Sequence, residues 1–161
     1  MMKKRIIIFA IAVFSCLTLV ACGSSKKGGD SKKTVEKPFS FSDVTWDTKR
    51  DEIIDVVGKK PSEEGETQTG GYSYYFIDEQ FEGYKVELNY VYENDSLNSV
   101  VIVFRDVTEA DYNKLEKTFN DKYGDFKESG SSKTWNAGTF DVVLDNTPLG
   151  FGMLKVEYDR H

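Results

Sequence analysis

Residues 84–105 read YKVELNYVYENDSLNSVVIVFR, and this stretch decides the fold. Tyr84, Val86, Leu88, Tyr90 and Tyr92 fall on one side of an alternation, with Lys85, Glu87, Asn89 and Glu93 on the other. A period of two is the mark of a strand with one buried face. Asn94-Asp95 is a turn pair, and Leu97–Arg105 runs back. Val100, Ile102 and Phe104 alternate there against Ser99, Val101, Val103 and Arg105. The stretch therefore predicts an antiparallel hairpin.

Working outward, Tyr72–Ile77 is an aromatic strand candidate upstream. Lys133–Ala137, Thr139–Asp145 and Phe151–Tyr158 are strand candidates downstream, the last two joined by Asn146-Thr-Pro148-Leu-Gly150. Helical signals precede each set. Thr48 can cap a helix whose stripe is Ile53, Val56 and Val57, with Asp51 as the capping-box partner; Gly58 and Pro61 stop it. Thr108 and Asp111 repeat that box ahead of Tyr112, Leu115 and Phe119, and Lys122-Tyr123-Gly124 closes the second helix. The order is α-β-β-β twice, offset by 60 residues between Thr48 and Thr108. The expected fold class is α+β: two tandem α-β-β-β units, residues 38–105 and 106–161, forming one antiparallel sheet with the helices packed on one face. Gly70-Gly71 reads as a turn rather than a phosphate cradle.

The N-terminus has a different composition. Met1-Met2-Lys3-Lys4-Arg5 precedes sixteen mostly apolar residues, Ile6 to Ala21. That is the layout of a secretory signal, shorter than the roughly 20 residues of a membrane-spanning helix. It ends in Leu19-Val20-Ala21-Cys22, which resembles the lipobox of bacterial lipoprotein precursors. In those precursors the cysteine thiol takes a diacylglyceryl group and the signal is cut before it. The resemblance implies residues 1–21 as signal peptide and Cys22 as the lipid-attachment site. It places the protein on the extracytoplasmic face of a cell membrane, with a Gram-positive envelope favoured. Residues 22–37 then form a Lys/Gly/Ser-rich tether, reaching at most ~50 Å, and 38–161 form a single domain.

Composition narrows the chemistry. Cys16 lies in the signal and Cys22 is acylated, so a thiol nucleophile, a disulfide or a Cys-ligated metal is not expected. The domain carries 13 Lys/Arg against 25 Asp/Glu, a net of −12, which argues against nucleic acid as partner. The one histidine, His161, is the last residue and is expected to fray. No cofactor is implied. Asp121 with Asp125, or Asp141 with Asp145, are weak calcium candidates.

The run Trp46-Asp-Thr48-Lys-Arg-Asp-Glu-Ile-Ile-Asp-Val-Val-Gly58-Lys-Lys-Pro61 resembles the helix-to-turn motif of the SmpA/OmlA (BamE-like) lipoproteins, with two residues rather than one between glycine and proline. The duplicated helix-then-strands order resembles the β-lactamase-inhibitor-protein-like fold. Tyr112, Tyr123-Gly124, Trp135, Val142, Leu144 and Tyr158 resemble a pattern in Gram-positive lipoproteins. These resemblances imply a protein-binding scaffold. The expected function is a non-catalytic protein- or peptide-binding module in the cell envelope. The expected partner-binding face is the side of the sheet opposite the helices, bearing Val91, Val101, Val103, Arg105, Val143 and Lys155. The alternatives are a glycan-acting enzyme with paired carboxylates and a structural assembly factor.

Overall fold

A computed structural model describes residues 43–147 and 152–161. Cys22 and residues 1–42 as a whole lie outside the described residues, as do Pro148–Gly150 of the expected turn and Phe151 at the start of the expected last strand.

The described chain runs α1 (Ile53–Val57), β1 (Glu63–Glu66), β2 (Tyr72–Phe81), β3 (Tyr84–Glu93), β4 (Ser96–Arg105), α2 (Glu109–Tyr123), β5 (Lys127–Ser129), β6 (Ser132–Asn136), β7 (Phe140–Asp145) and β8 (Met153–Arg160). All eight strands join one antiparallel sheet in the order β1-β2-β3-β4-β8-β7-β6-β5.

This corrects the expected fold class. The chain is not an α+β sandwich of two α-β-β-β units with helices packed over one face. Its described residues are dominated by the eight-stranded sheet, and the two helices among them are five and fifteen residues long. Each unit holds four strands, and the units meet through their last strands, β4 and β8. The added strands β1 (Glu-Glu-Gly-Glu) and β5 (Lys-Glu-Ser) contain no apolar side chain, so no alternation marks them. They exist because their backbones complete the ladders to β2 and β6.

The first helix is shorter than its sequence pattern suggests, for a local reason. The Thr48 hydroxyl accepts the Thr45 amide at 2.9 Å, and Glu52 accepts the Lys49 amide at 3.1 Å. These bonds hold residues 45–52 in turns, so α1 begins at Ile53 with no side-chain cap. Thr108 does cap α2: its hydroxyl accepts the Asp111 amide while Asp111 accepts the Thr108 amide at 2.8 Å. Such a cap contributes about 1 kcal/mol.

The hairpin turns follow from backbone handedness. Asn94 and Asp95 both have positive φ (49° and 61°), as do Glu82 and Gly83 (50° and 84°). Paired positive φ values match the twist of the flanking strands.

One face of the sheet makes the core. Phe76, Leu88, Tyr90, Ile102, Phe104, Val142, Leu144, Val156 and Tyr158 are all buried on it, and Tyr112, Leu115 and Phe119 of α2 cover it. Trp135 packs between Phe119 and Phe126, each ring 5.4 Å away, and donates its indole N–H to Asn120 at 2.9 Å. The pairing of β2 with β3 slips between Phe76 and Glu79. Beyond the slip, Phe81 reaches Phe104, Phe119 and Tyr158 with ring centroids 6.0–6.5 Å apart. In a flat sheet β2 and β8 would stand about 14 Å apart. The bulge therefore bends the end of β2 over the core, closing what one long helix leaves open.

Candidate functional site

Strand pairing defines the opposite, outer face row by row. One row runs Tyr75, Asn89, Val101, Glu157, Val143, Thr134 across β2 to β6. The next holds Glu87, Val103, Lys155 and Asp145. On the other side of the first lie Ser73, Val91, Ser99, Asp159 and Asp141. All six residues expected to form a partner-binding face lie on this side.

They are not one apolar patch. Val101, Val103 and Arg105 follow one another along β4. Val143 is two strands away, behind Glu157, and Val91 faces Ser99 a row further on. The four valines are half-buried and Arg105 is exposed. No described helix packs on this face.

The two cations are already held. Arg105 grips Glu87 with both arms of its guanidinium, Nη2 lying 2.9 Å from Oε2, and its other terminal nitrogen lies 3.4 Å from the Met153 sulfur. The Tyr75 hydroxyl donates to the same Glu87 carboxylate. Lys155 stands 3.3 Å from Glu157 and 4.0 Å from Asp145. Asn89, between Tyr75 and Val101, has its amide oxygen buried with no hydrogen-bond partner among the described residues.

Sequence reasoning missed Ile77. Among the described residues it is the one exposed large hydrophobic side chain, at 42 % exposure. With Val103, Arg105, Glu87, Lys85 and Asp78 it lines a pocket of about 330 Å³ on the outer face. Alternation from Tyr75 puts it on this face, and the slip begins just beyond it, where Asp78 takes a positive φ of 63°. A signal was present: Phe76 and Phe81 are five residues apart, and an unbroken strand puts such a pair on opposite faces.

His161 does not fray. Its amide donates to the Thr139 carbonyl at 3.0 Å, and its Nε2 is 3.2 Å from Asp141. Asp141 also accepts from the Asn136 amide at 2.8 Å. Gly70-Gly71 closes a turn, in which Gly71 donates to the Thr67 hydroxyl at 2.9 Å. Among the described residues, no three His, Cys, Asp or Glu side chains cluster so as to hold a metal ion. No helix among them is long and apolar enough to cross a membrane.

Arg105, helped by Tyr75, holds the Glu87 carboxyl below the usual range against the opposing effect of burial. A depressed carboxylate stabilises the fold at pH values above its unfolded pKa, and that contribution is lost as pH falls through the folded value. Glu87→Gln is therefore expected to lower the melting temperature at neutral pH and to flatten its fall below about pH 4.5. Melting curves of both proteins across that range are the check. Parallel pH profiles with a constant offset would show that Glu87 titrates alike in the folded and unfolded chain.

No family model, no curated protein and no solved structure matches this chain.

Proposed function

We propose that this protein is a lipid-anchored, extracytoplasmic binding module that captures a protein or peptide of the cell envelope on the outer face of its sheet. It performs no chemistry of its own. The supporting observation is that face: half-buried valines stand among charges, next to the exposed Ile77 pocket, with no described helix over them. Valines left in water contribute nothing, whereas covering them yields roughly 25 cal/mol per Å² of apolar area removed. A recognition surface mixes apolar and polar area in comparable shares, as this face does.

The sheet edges are poor alternatives. β1 presents Glu-Glu-Gly-Glu and β5 presents Lys-Glu-Ser, both short and charged, which blocks strand addition. The resemblance of residues 46–61 to the BamE-like helix-to-turn motif agrees with a binding role. The paired-carboxylate enzyme has its nearest candidates in Asp141 and Asp159, which stand on an open face rather than in a cleft.

The test is a crosslinking pull-down from envelope extract, comparing wild type with a Val101→Asp, Val103→Asp variant whose fold is verified by circular dichroism. The variant is expected to lose the partner, because two carboxylates would be desolvated at the centre of the contact. A folded variant that keeps every partner of the wild type would move the binding site elsewhere.

A further inference from the structure

The outer face is unevenly charged. On β3 and β4, Glu87 is matched by Arg105. On β7 and β8 four carboxylates, Asp141, Asp145, Glu157 and Asp159, stand with one lysine, Lys155, which reaches only Glu157 and Asp145. Asp141 sits directly opposite Asp159 across the ladder. Like charges in directly opposed positions cost stability. Asp141 has Asn136 and His161 beside it; the Asp159 carboxylate has no hydrogen bond or ion pair among the described residues. Burial, then Glu157 and Asp141, raise the Asp159 carboxyl above its usual range.

Asp145 accepts from the Ser131 hydroxyl and the Thr147 amide, and Asp141 holds Asn136 and His161; among the described residues Glu157 and Asp159 make no such turn contacts, and Asp159 faces Asp141 across the ladder. The four carboxylates disfavour a nucleic acid, an anionic lipid surface, or a second copy of the same face. What they attract is a cation. The valines narrow this further, because Val101 and Val143 flank Glu157 in a single row, with Val103 one step along β4. A ligand filling these positions must alternate apolar and positive groups at side-chain spacing.

We propose that the outer face receives a cationic amphipathic polypeptide, with its apolar side chains on Val101, Val103 and Val143 and its Lys or Arg side chains on Glu157, Asp159 and Asp141. This rests on the outer face being the binding surface, and it assigns the chemistry of the partner.

The experiment uses the full-length chain in non-ionic detergent and three labelled synthetic peptides followed by fluorescence anisotropy. One alternates lysine with valine, one replaces each lysine by glutamate, and one replaces each valine by serine. The lysine–valine peptide should bind at least about 10-fold tighter than either of the others, and more weakly as salt is raised. Neutralising the acids (Asp141→Asn, Glu157→Gln, Asp159→Asn) should weaken it at least about 10-fold. That variant relieves the Asp141–Asp159 repulsion but gives up the Lys155–Glu157 and His161–Asp141 pairs, so its fold is verified by circular dichroism beside the wild type. Unchanged affinity in the variant, or no binding of the lysine–valine peptide, would overturn the proposal. Tighter binding of the glutamate–valine peptide, abolished by Val101→Asp with Val103→Asp, would also overturn it while leaving the outer face as the binding surface.

Discussion

Trp135→Ala should destabilise the protein by about 3–5 kcal/mol, a large share of the ~5–15 kcal/mol that holds a typical domain together. Trp135 is fully buried. It joins α2 to the β5–β6 half of the sheet through Phe119 and Phe126, and the Asn120 side chain accepts its indole N–H. Alanine would leave a cavity, break two edge-to-face contacts and strand the Asn120 oxygen. β6 itself is hydrogen-bonded to β5 on one side and β7 on the other, which resists collapse into the space. Trp135→Phe separates the terms: it keeps a ring and loses the hydrogen bond, and should cost about 1–3 kcal/mol. Urea unfolding of the three proteins is the measurement. A loss below about 1 kcal/mol for alanine would mean that α2 is not held to the sheet by this cluster.

Cys22→Ala should abolish anchoring outright. Alanine has no thiol to form the thioether with diacylglycerol, and two acyl chains are what make attachment stable; a single chain holds a protein only marginally. The variant should accumulate as unprocessed precursor or escape to the medium, and incorporation of a fatty-acid analogue should fall to background. Equal labelling of variant and wild type would show that the Leu19–Cys22 motif is not the lipid-attachment site. The sharpness of this expectation comes from agreement among the cationic start, the short apolar run, the lipobox and the polar stretch after it.

Local patterns were readable where side chains alternate against a buried face. Residues 84–105 form the hairpin their alternation implies, with Asn94-Asp95 at its turn. Thr108 and Asp111 cap α2. The same logic misplaced the first helix start, because Thr48 can also serve a turn, and a hydroxyl carries no mark of which amide it will accept. β1 and β5 left no trace in the pattern, since an edge strand with both faces in water has no apolar residue to alternate. Those two strands and the five-residue α1 are what turn an expected α+β sandwich into a sheet-dominated fold.

Long-range pairing was less legible. β4 and β8 are about fifty residues apart, and nothing local in either says that the two units should join through their last strands. The outer-face residues were legible individually, because period two assigns Val101 and Val103 to the side opposite Ile102. Their neighbours were not. That Glu157 stands between Val101 and Val143 depends on register across strands distant in sequence. The one-step irregularity after Ile77, which carries Phe81 onto the core face, was not read from the sequence.

The central claim is that the outer face of the sheet is the surface that meets a partner. The most direct measurement places a photo-crosslinking amino acid at Val101 or, separately, at Lys117 on the exposed side of α2, in the intact chain in living cells. The account predicts a discrete crosslinked product from position 101 and none from position 117. A product from position 117 with none from 101 would contradict it.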